Sequence, residues 1–211
     1  MARICFFTLA GCRVAEPCPP LESWMTEREE EIRNRWGGLT PGSIPGMKAA
    51  RDLYRATGIE PTRTRPSSEA LVRRILKGGG LPRINPAVDL CNLSAVTYFL
   101  SIGLYDLGKI HPPIELGLGR EGEHYQGLGK PRVNLESRLC SRDREGPFGN
   151  PTSDSLRTSV DEGSDSLLWL IYAPAYFDEE TLAAHARWSA DRALAAGICR
   201  ETSAPEIRPA S

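Results

Sequence analysis

An α+β fold is predicted, on three observations. Helical patterns dominate the first half of the chain. Residues 101–148 are short apolar pieces broken by Gly and Pro, as small strands and tight turns are. Leu167–Ala173 (LLWLIYA) then reads as a buried strand, followed by one more helix. No alternating strand–helix series and no Gly-rich nucleotide fingerprint is present.

Each element has a local reason. Arg3–Ala10 is an apolar run suited to a buried strand, and residues 11–20, with three prolines, read as a loop. Thr26 and Glu29 have capping-box spacing, which predicts a helix from there to Trp36 with Leu21, Met25, Ile32 and Trp36 on its apolar side. Gly37-Gly38 stops it, and residues 37–46 form a turn-rich linker. Met47–Thr57 is helical and ends at Gly58. Ser67 or Ser68 caps the next helix, whose apolar face is Leu71, Val72, Ile75 and Leu76 and which ends near Lys77. Asn85-Pro86 opens another as cap and first helical residue. Asp178 caps a last helix that runs to Ala196, with Gly197 as its stop. The expected division is an N-terminal strand and helix extension (1–46), a core domain (47–197) and a flexible polar tail (198–211).

Composition excludes several classes. With 211 residues, 40% hydrophobic and 25% charged, the chain is long and apolar enough for a core, so disorder throughout is excluded. The net charge of -1 excludes coating nucleic acid through bulk charge. The longest apolar runs fall far short of the ~20 residues that span a bilayer, and no secretory signal is recognisable, so no membrane partner is expected. Six cysteines without a CxxC pair, and with no His at metal spacing, predict reduced thiols in a cytoplasmic protein. No metal and no cofactor is expected.

Charge is segregated all the same. Residues 51–90 carry eight cations against four anions, and residues 111–180 carry seven against thirteen. The basic segment suits either a phosphate-contacting surface or a solvated helix face with local ion pairs. Asn85, Asp89 and Asn92 are polar residues set among apolar ones. They suit a cap and a buried hydrogen-bond network, or an ordering role toward Gly103–Asp106. The stretch Gly146–Thr158 (GPFGNPTSDSLRT) fixes a tight loop with two Gly and two Pro and then clusters Thr152, Asp154, Ser155, Arg157 and Thr158. It reads as a ligand pocket, or as a structural polar turn with an Asp154–Arg157 ion pair. No Ser-His-Asp or Cys-His order is recognisable among His111, His124 and His185.

Four motifs occur in order: RPSSEALVRR (65–74), LPRINPAVDLCN (81–92), GLYD (103–106) and GPFGNPTSDSLRT (146–158). Together they resemble the B3/B4 domain of the phenylalanyl-tRNA synthetase β subunit. The pattern is closer still to the free-standing B3/B4-like proteins, over roughly residues 47–197. The resemblance implies a B3/B4-like mixed sheet flanked by helices, and aminoacyl-tRNA or tRNA, not DNA, as partner. It implies hydrolysis of the ester of a mischarged tRNA. The alternatives are a transferase that uses the same ester to make a peptide bond or cyclic dipeptide, and a non-catalytic module binding tRNA or an amino acid.

On this resemblance Asp154, Thr152 and Thr158 are the catalytic candidates. Asn92, Gly103, Tyr105, Asp106, Gly146, Phe148, Gly149, Ser155 and Arg157 are the substrate-binding ones. Arg63, Arg65, Arg73, Arg74, Lys77 and Arg83 are expected to contact tRNA. Where the synthetase domain has a pocket His, the aligned residue is Gly103. Neither an ATP-binding signature nor class II synthetase motifs occur, so activation of an amino acid is not expected.

Overall fold

The computed structural model describes residues 2–15 and 17–210. Helices are α1 (Pro19–Trp36), α2 (Met47–Ala56), α3 (Ser67–Leu76), α4 (Pro86–Tyr98) and α5 (Glu179–Ala195). Strands are β1 (Ala2–Ala10), β2 (Ser101–Asp106), β3 (Glu115–Leu118), β4 (His124–Gly127), β5 (Lys130–Asn134), β6 (Leu139–Asp143), β7 (Gly146–Gly149), β8 (Ser166–Pro174), β9 (Glu201–Thr202) and β10 (Glu206–Pro209). The fold is α+β, as the sequence predicts. A five-stranded antiparallel sheet has the order β10-β1-β8-β2, with β9 also paired to β1. β3-β6-β7 and β4-β5 are smaller sheets.

The large sheet is buried on both faces. Side chains alternate along a strand, so odd and even positions meet different layers. Cys5, Phe7 and Leu9 of β1, with Leu167, Trp169 and Ile171 of β8, face α1, α4 and α5. Phe7 lies opposite Trp169, and the two rings stack at 5.4 Å. The other face carries Ile4, Leu168, Leu170, Tyr172 and Tyr105, packed against Leu53 of α2, Leu139 of β6 and Phe148 of β7. This double burial explains the near-continuous apolar run of β8.

Local signals set several boundaries. Asn85 Oδ1 accepts from the Val88 N–H at 3.0 Å, and Asp178 Oδ2 accepts from Thr181 N–H at 2.8 Å, so both expected caps are made. α1 differs from expectation. It starts at Pro19, not Thr26, because Pro19 and Pro20 occupy first-turn positions where no N–H is needed. Glu29 consequently lies mid-helix and buried. It accepts from the Leu81 N–H at 2.8 Å and from Arg83 at 2.9 Å, and it pairs with Arg33 at 3.2 Å.

Three further expectations are corrected. Residues 1–46 are not set apart: β1 lies between β8 and β10, and α1 supplies Leu21, Met25 and Ile32 to the main core. Residues 198–210 are not a loose tail, since β9 and β10 pair with β1, and residue 211 lies outside the described residues. Gly103–Asp106 lies in strand β2 and not in a turn. Asp89 does not order it; Asp89 instead accepts from the Ile84 N–H at 2.8 Å. No helix among the described residues is long and apolar enough to cross a membrane.

Glu29 generates a prediction. Burial alone would raise its pKa, but the hydrogen bonds from Arg83 and Leu81 outweigh burial and hold it below the usual carboxylate value. Its stabilisation is therefore present above the unfolded-state pKa and lost as pH falls through the folded one. Glu29→Gln is expected to cost about 1–3 kcal/mol at neutral pH in urea melts. The deficit should begin to shrink as pH falls through the unfolded-state carboxylate value of about 4.3, and close once the folded carboxyl is protonated as well.

Candidate functional site

A cavity of about 580 Å3 is lined by Thr64, Arg65, Ser67, Leu71 and Arg73 at the start and face of α3, by Asn92 of α4, by Lys130 of β5 and by Thr152. Pro66 precedes α3 and offers it no side-chain cap. The Ser67 Oγ is buried and has no hydrogen-bond partner among the described residues. Arg65 and Arg73 also line a second cavity of about 490 Å3, beside Thr40, Ser43, Arg51 and Glu69. The two guanidiniums thus form a shared basic wall. Arg65 lies 3.7 Å from Glu69, while Arg73 makes no ion pair among the described residues. Lys130 Nζ donates to Ser153 Oγ at 2.8 Å.

Behind this cavity is a buried polar cluster. Asn150 Oδ1 accepts from the Thr152 and Ser153 N–H groups at 2.7 and 2.9 Å, which folds the loop after β7 into a tight turn. The Thr152 hydroxyl donates to Tyr54 Oη at 3.0 Å, and Tyr54 donates to the Pro151 carbonyl at 2.8 Å. Two residues on, the Asp154 carboxyl stands near the Tyr105 phenol, which favours its charged form. Tyr105 Oη lies 3.0 Å from Tyr172 Oη, which lies 3.2 Å from Ser141 Oγ. A chain of hydroxyls therefore runs from one carboxyl into the sheet interface.

Asp154 as a residue is half-buried. Even so, burial of its carboxyl pushes the pKa up to about 7, with the Tyr105 hydrogen bond pulling the other way. Burial also holds the Tyr105, Tyr125 and Tyr172 phenols above their ordinary range, so they stay neutral near pH 7. A carboxyl that titrates near neutrality can give or take a proton at working pH.

Two glycines make room for this arrangement. A Cβ on Gly103 or on Gly149 would stand 2.2 Å from Tyr105 Oη, so the phenol fits only between bare backbones. Phe148 meets the same ring edge-on at 5.0 Å.

Not every expected residue joins the site. Asn92, Arg65, Arg73 and Thr152 meet at one cavity, and Gly103, Tyr105, Phe148 and Gly149 surround the Asp154 cluster. Thr158 and Ser155 are fully buried. Their hydroxyls lie 3.1 Å apart, and Thr158 also donates to the Phe148 carbonyl at 3.3 Å, so they hold the loop together. Arg157 does not pair with Asp154: it forms a two-point ion pair with Asp143 at 2.8 and 3.0 Å, near Gly146. Asp106 accepts from Ser164 Oγ at 2.7 Å and from the Gly108 N–H at 2.9 Å. Arg83 is committed to Glu22 and Glu29, and Arg74 to the Gly80 carbonyl. Arg63 and Lys77 are exposed and lie outside the cavity lining.

Sequence reasoning missed Lys130, which stands just past the Gly129 turn between β4 and β5, and it gave Tyr54 no role. A larger cavity, about 690 Å3, lies elsewhere, between the large sheet and β3, and contains none of the expected residues.

A family model described as "B3/4 domain" matches residues 49–190. The chain belongs to the B3/4 domain family. Among solved structures, this B3/4 chain is similar to an N-terminal fragment of the phenylalanyl-tRNA synthetase β subunit from Pyrococcus horikoshii, at 16% identity and a TM-score of 0.46. The similarity covers 61% of this chain and 44% of that one. Comparison with curated proteins finds no match. The family match runs from within α2 to within α5 and includes every residue of the cavity and of the Asp154 cluster. β1 and α1, which complete the sheet and the core, precede it.

Two outcomes are expected of the cluster. Gly149→Ala drives a methyl group into Tyr105 and should cost about 1–3 kcal/mol by overpacking, read as a lower thermal midpoint. For Asp154, the folded chain keeps its proton where the unfolded chain has released it, so stability falls as pH rises from about 4 toward 7. Asp154→Asn should flatten that decline and melt a few degrees above wild type at pH 8. An equal pH slope in both proteins would remove the neutral carboxyl from the picture.

Proposed function

We propose that this B3/4 chain acts on aminoacyl-tRNA and hydrolyses the ester of a mischarged one. The observation that carries this reading is the cavity where Arg65, Arg73 and Lys130 meet Asn92 and Thr152 at the start of α3. Three cations suit the phosphates of a nucleic-acid 3′ end. Asn92 and the Thr152 hydroxyl suit the terminal sugar and the ester. The resemblance to the synthetase's B3/B4 domain supplies the substrate class.

In this reading Arg65, Arg73 and Lys130 fix the phosphates, and so set the position of the ester. Asp154, protonated in part near pH 7, holds the α-ammonium or accepts a proton from the attacking water. Water adds to the ester carbonyl, and the bond from the carbonyl carbon to the ribose oxygen breaks. A free amino acid and a tRNA with a free terminal hydroxyl leave. No protein nucleophile is required, in keeping with the lack of any recognisable Ser-His-Asp or Cys-His order. Gly103, where the synthetase domain carries a His, leaves Asp154 as the titrating group of the cluster suited to neutral pH.

The test is incubation with a pool of charged, labelled tRNAs, following ester loss and small products by mass spectrometry. Release of free amino acid from particular tRNAs is expected, with Asp154→Ala slower by about 10²-fold or more. The double variant Arg65→Ala/Arg73→Ala should bind tRNA more weakly. Its log–log salt slope should be shallower by about 0.7 for each single-strand phosphate that the variant no longer neutralises. Dipeptide products would make the chain a transferase instead. Unchanged ester half-lives with every tRNA, together with an unchanged salt slope, would end the proposal.

A further inference from the structure

Two cysteines meet where the beginning and the end of the chain run side by side. β1 and β9 are antiparallel, with Leu9 opposite Thr202 and Ala10 opposite Glu201. The pairing continues past the ladder: the Arg200 N–H donates to the Ala10 carbonyl at 2.9 Å, and the Arg13 N–H donates to the Ile198 carbonyl at 2.8 Å. The first of these bonds is one residue out of the ladder's register and the second returns to it, with Gly11 at a φ of 61° taking up the slip; the restored register sets Cys12 opposite Cys199.

Opposite residues of an antiparallel pair send their side chains to the same face, with Cα atoms about 4.5–5.5 Å apart. A disulfide needs about 4.4–6.8 Å. Both cysteines pack on the same core cluster, Cys199 within it and Cys12 against it. The two segments are packed together here as well: a Cβ on Gly11 would meet the aliphatic stem of Arg200 at 3.0–3.1 Å. Cys12 is half-buried and reachable, whereas Cys199 is only 5% exposed. All six cysteines are free thiols, and Cys5, Cys91 and Cys140 are buried elsewhere in the fold.

We propose that Cys12 and Cys199 are a dithiol modification site, which a small-molecule disulfide converts into an intramolecular disulfide joining the segment after β1 to the segment after α5. Cys12 as thiolate attacks one sulfur of the small disulfide and releases one small thiol. Cys199 then attacks the Cys12 sulfur of the mixed disulfide and releases the second. Two protein thiols are oxidised to one disulfide, and the small disulfide is reduced to two thiols. Cys12 is the entry point and Cys199 the resolving residue.

The reaction is slow at neutral pH. Burial, with Cys199 and Asp165 adding to it, pushes the Cys12 thiol up to about 12, and burial pushes Cys199 up to about 11. The site is thus closed to casual oxidation and opens under sustained oxidising conditions. Once formed, the bond encloses almost the whole chain, the case in which a cross-link restricts the unfolded state most.

The test uses the full chain and oxidised glutathione at mildly alkaline pH, and involves no RNA. Intact mass should fall by two hydrogens, and peptide mapping should return Cys12 linked to Cys199. The thermal midpoint should rise by about 5–10 °C and return to its starting value on adding dithiothreitol. Cys12→Ser and Cys199→Ser should each show neither the link nor the rise. If either variant fails to fold, the wild-type peptide map decides alone. A link through any other pair, a stable glutathione adduct on Cys12, no link after prolonged exposure, or a linked protein that melts lower would each overturn the proposal.

Discussion

The antiparallel ladder between β1 and β8 runs from Ala2 opposite Pro174 to Ala10 opposite Ser166 and joins the first strand of the chain to one of the last. Every other layer uses it. On one side it presents Phe7 and Trp169 to the helices; on the other it presents Ile4, Leu168 and Tyr172 to the small sheets. β2 adds to the free side of β8, which carries Gly103 and Tyr105 to the place where β6 and β7 cross the sheet. The Asp154 cluster is therefore a consequence of sheet geometry: Tyr105 comes from β2, Tyr172 from β8, Ser141 from β6, and the carboxyl from the loop after β7.

Burial and hydrogen bonding pull against each other throughout this cluster. A carboxyl taken out of water costs free energy unless it is paired or keeps its proton. Asp143 is paired: although burial opposes it, the Arg157 fork and the His111 N–H hold its carboxyl below the usual range. Asp154 has no cation beside it among the described residues, only a phenol, and so it is held neutral part of the time. Two aspartates eleven residues apart in one motif-rich stretch are thus tuned in opposite directions by what stands next to them. The first keeps the loop in shape, and the second retains a chemical option.

Legibility in the sequence follows range. Asn85-Pro86 and Asp178 are readable because a cap acts on residues three positions away. The start of α1 is not, because Glu29 fits a local capping pattern while its real partners, Leu81 and Arg83, lie more than fifty residues further on. β10 reads as a loose tail because Glu206, Ile207, Arg208 and Pro209 have little strand character without β1 beside them. At the site, Asn92, Thr152, Arg65 and Arg73 stand out in the sequence and share one cavity. Arg157, Ser155 and Thr158 look equally functional in sequence, yet they are consumed by internal contacts. Composition cannot separate a polar group that faces a ligand from one that satisfies a neighbour. Lys130 escapes notice because a lone lysine after a turn has no pattern at all.

The pairing of β10 has a consequence for the protein in concentrated solution. Open sheet edges recruit strands from other molecules, and one of the two edges of this sheet, opposite β2, is β10. That edge is four residues long, carries Glu206 and Arg208 in an exposed ion pair, and ends in Pro209, which has no N–H to offer. The long apolar strands β1 and β8 are kept inside. β10 thus acts as a guard rail against edge-to-edge association, and removing it would lay the flank of β1 open to self-assembly.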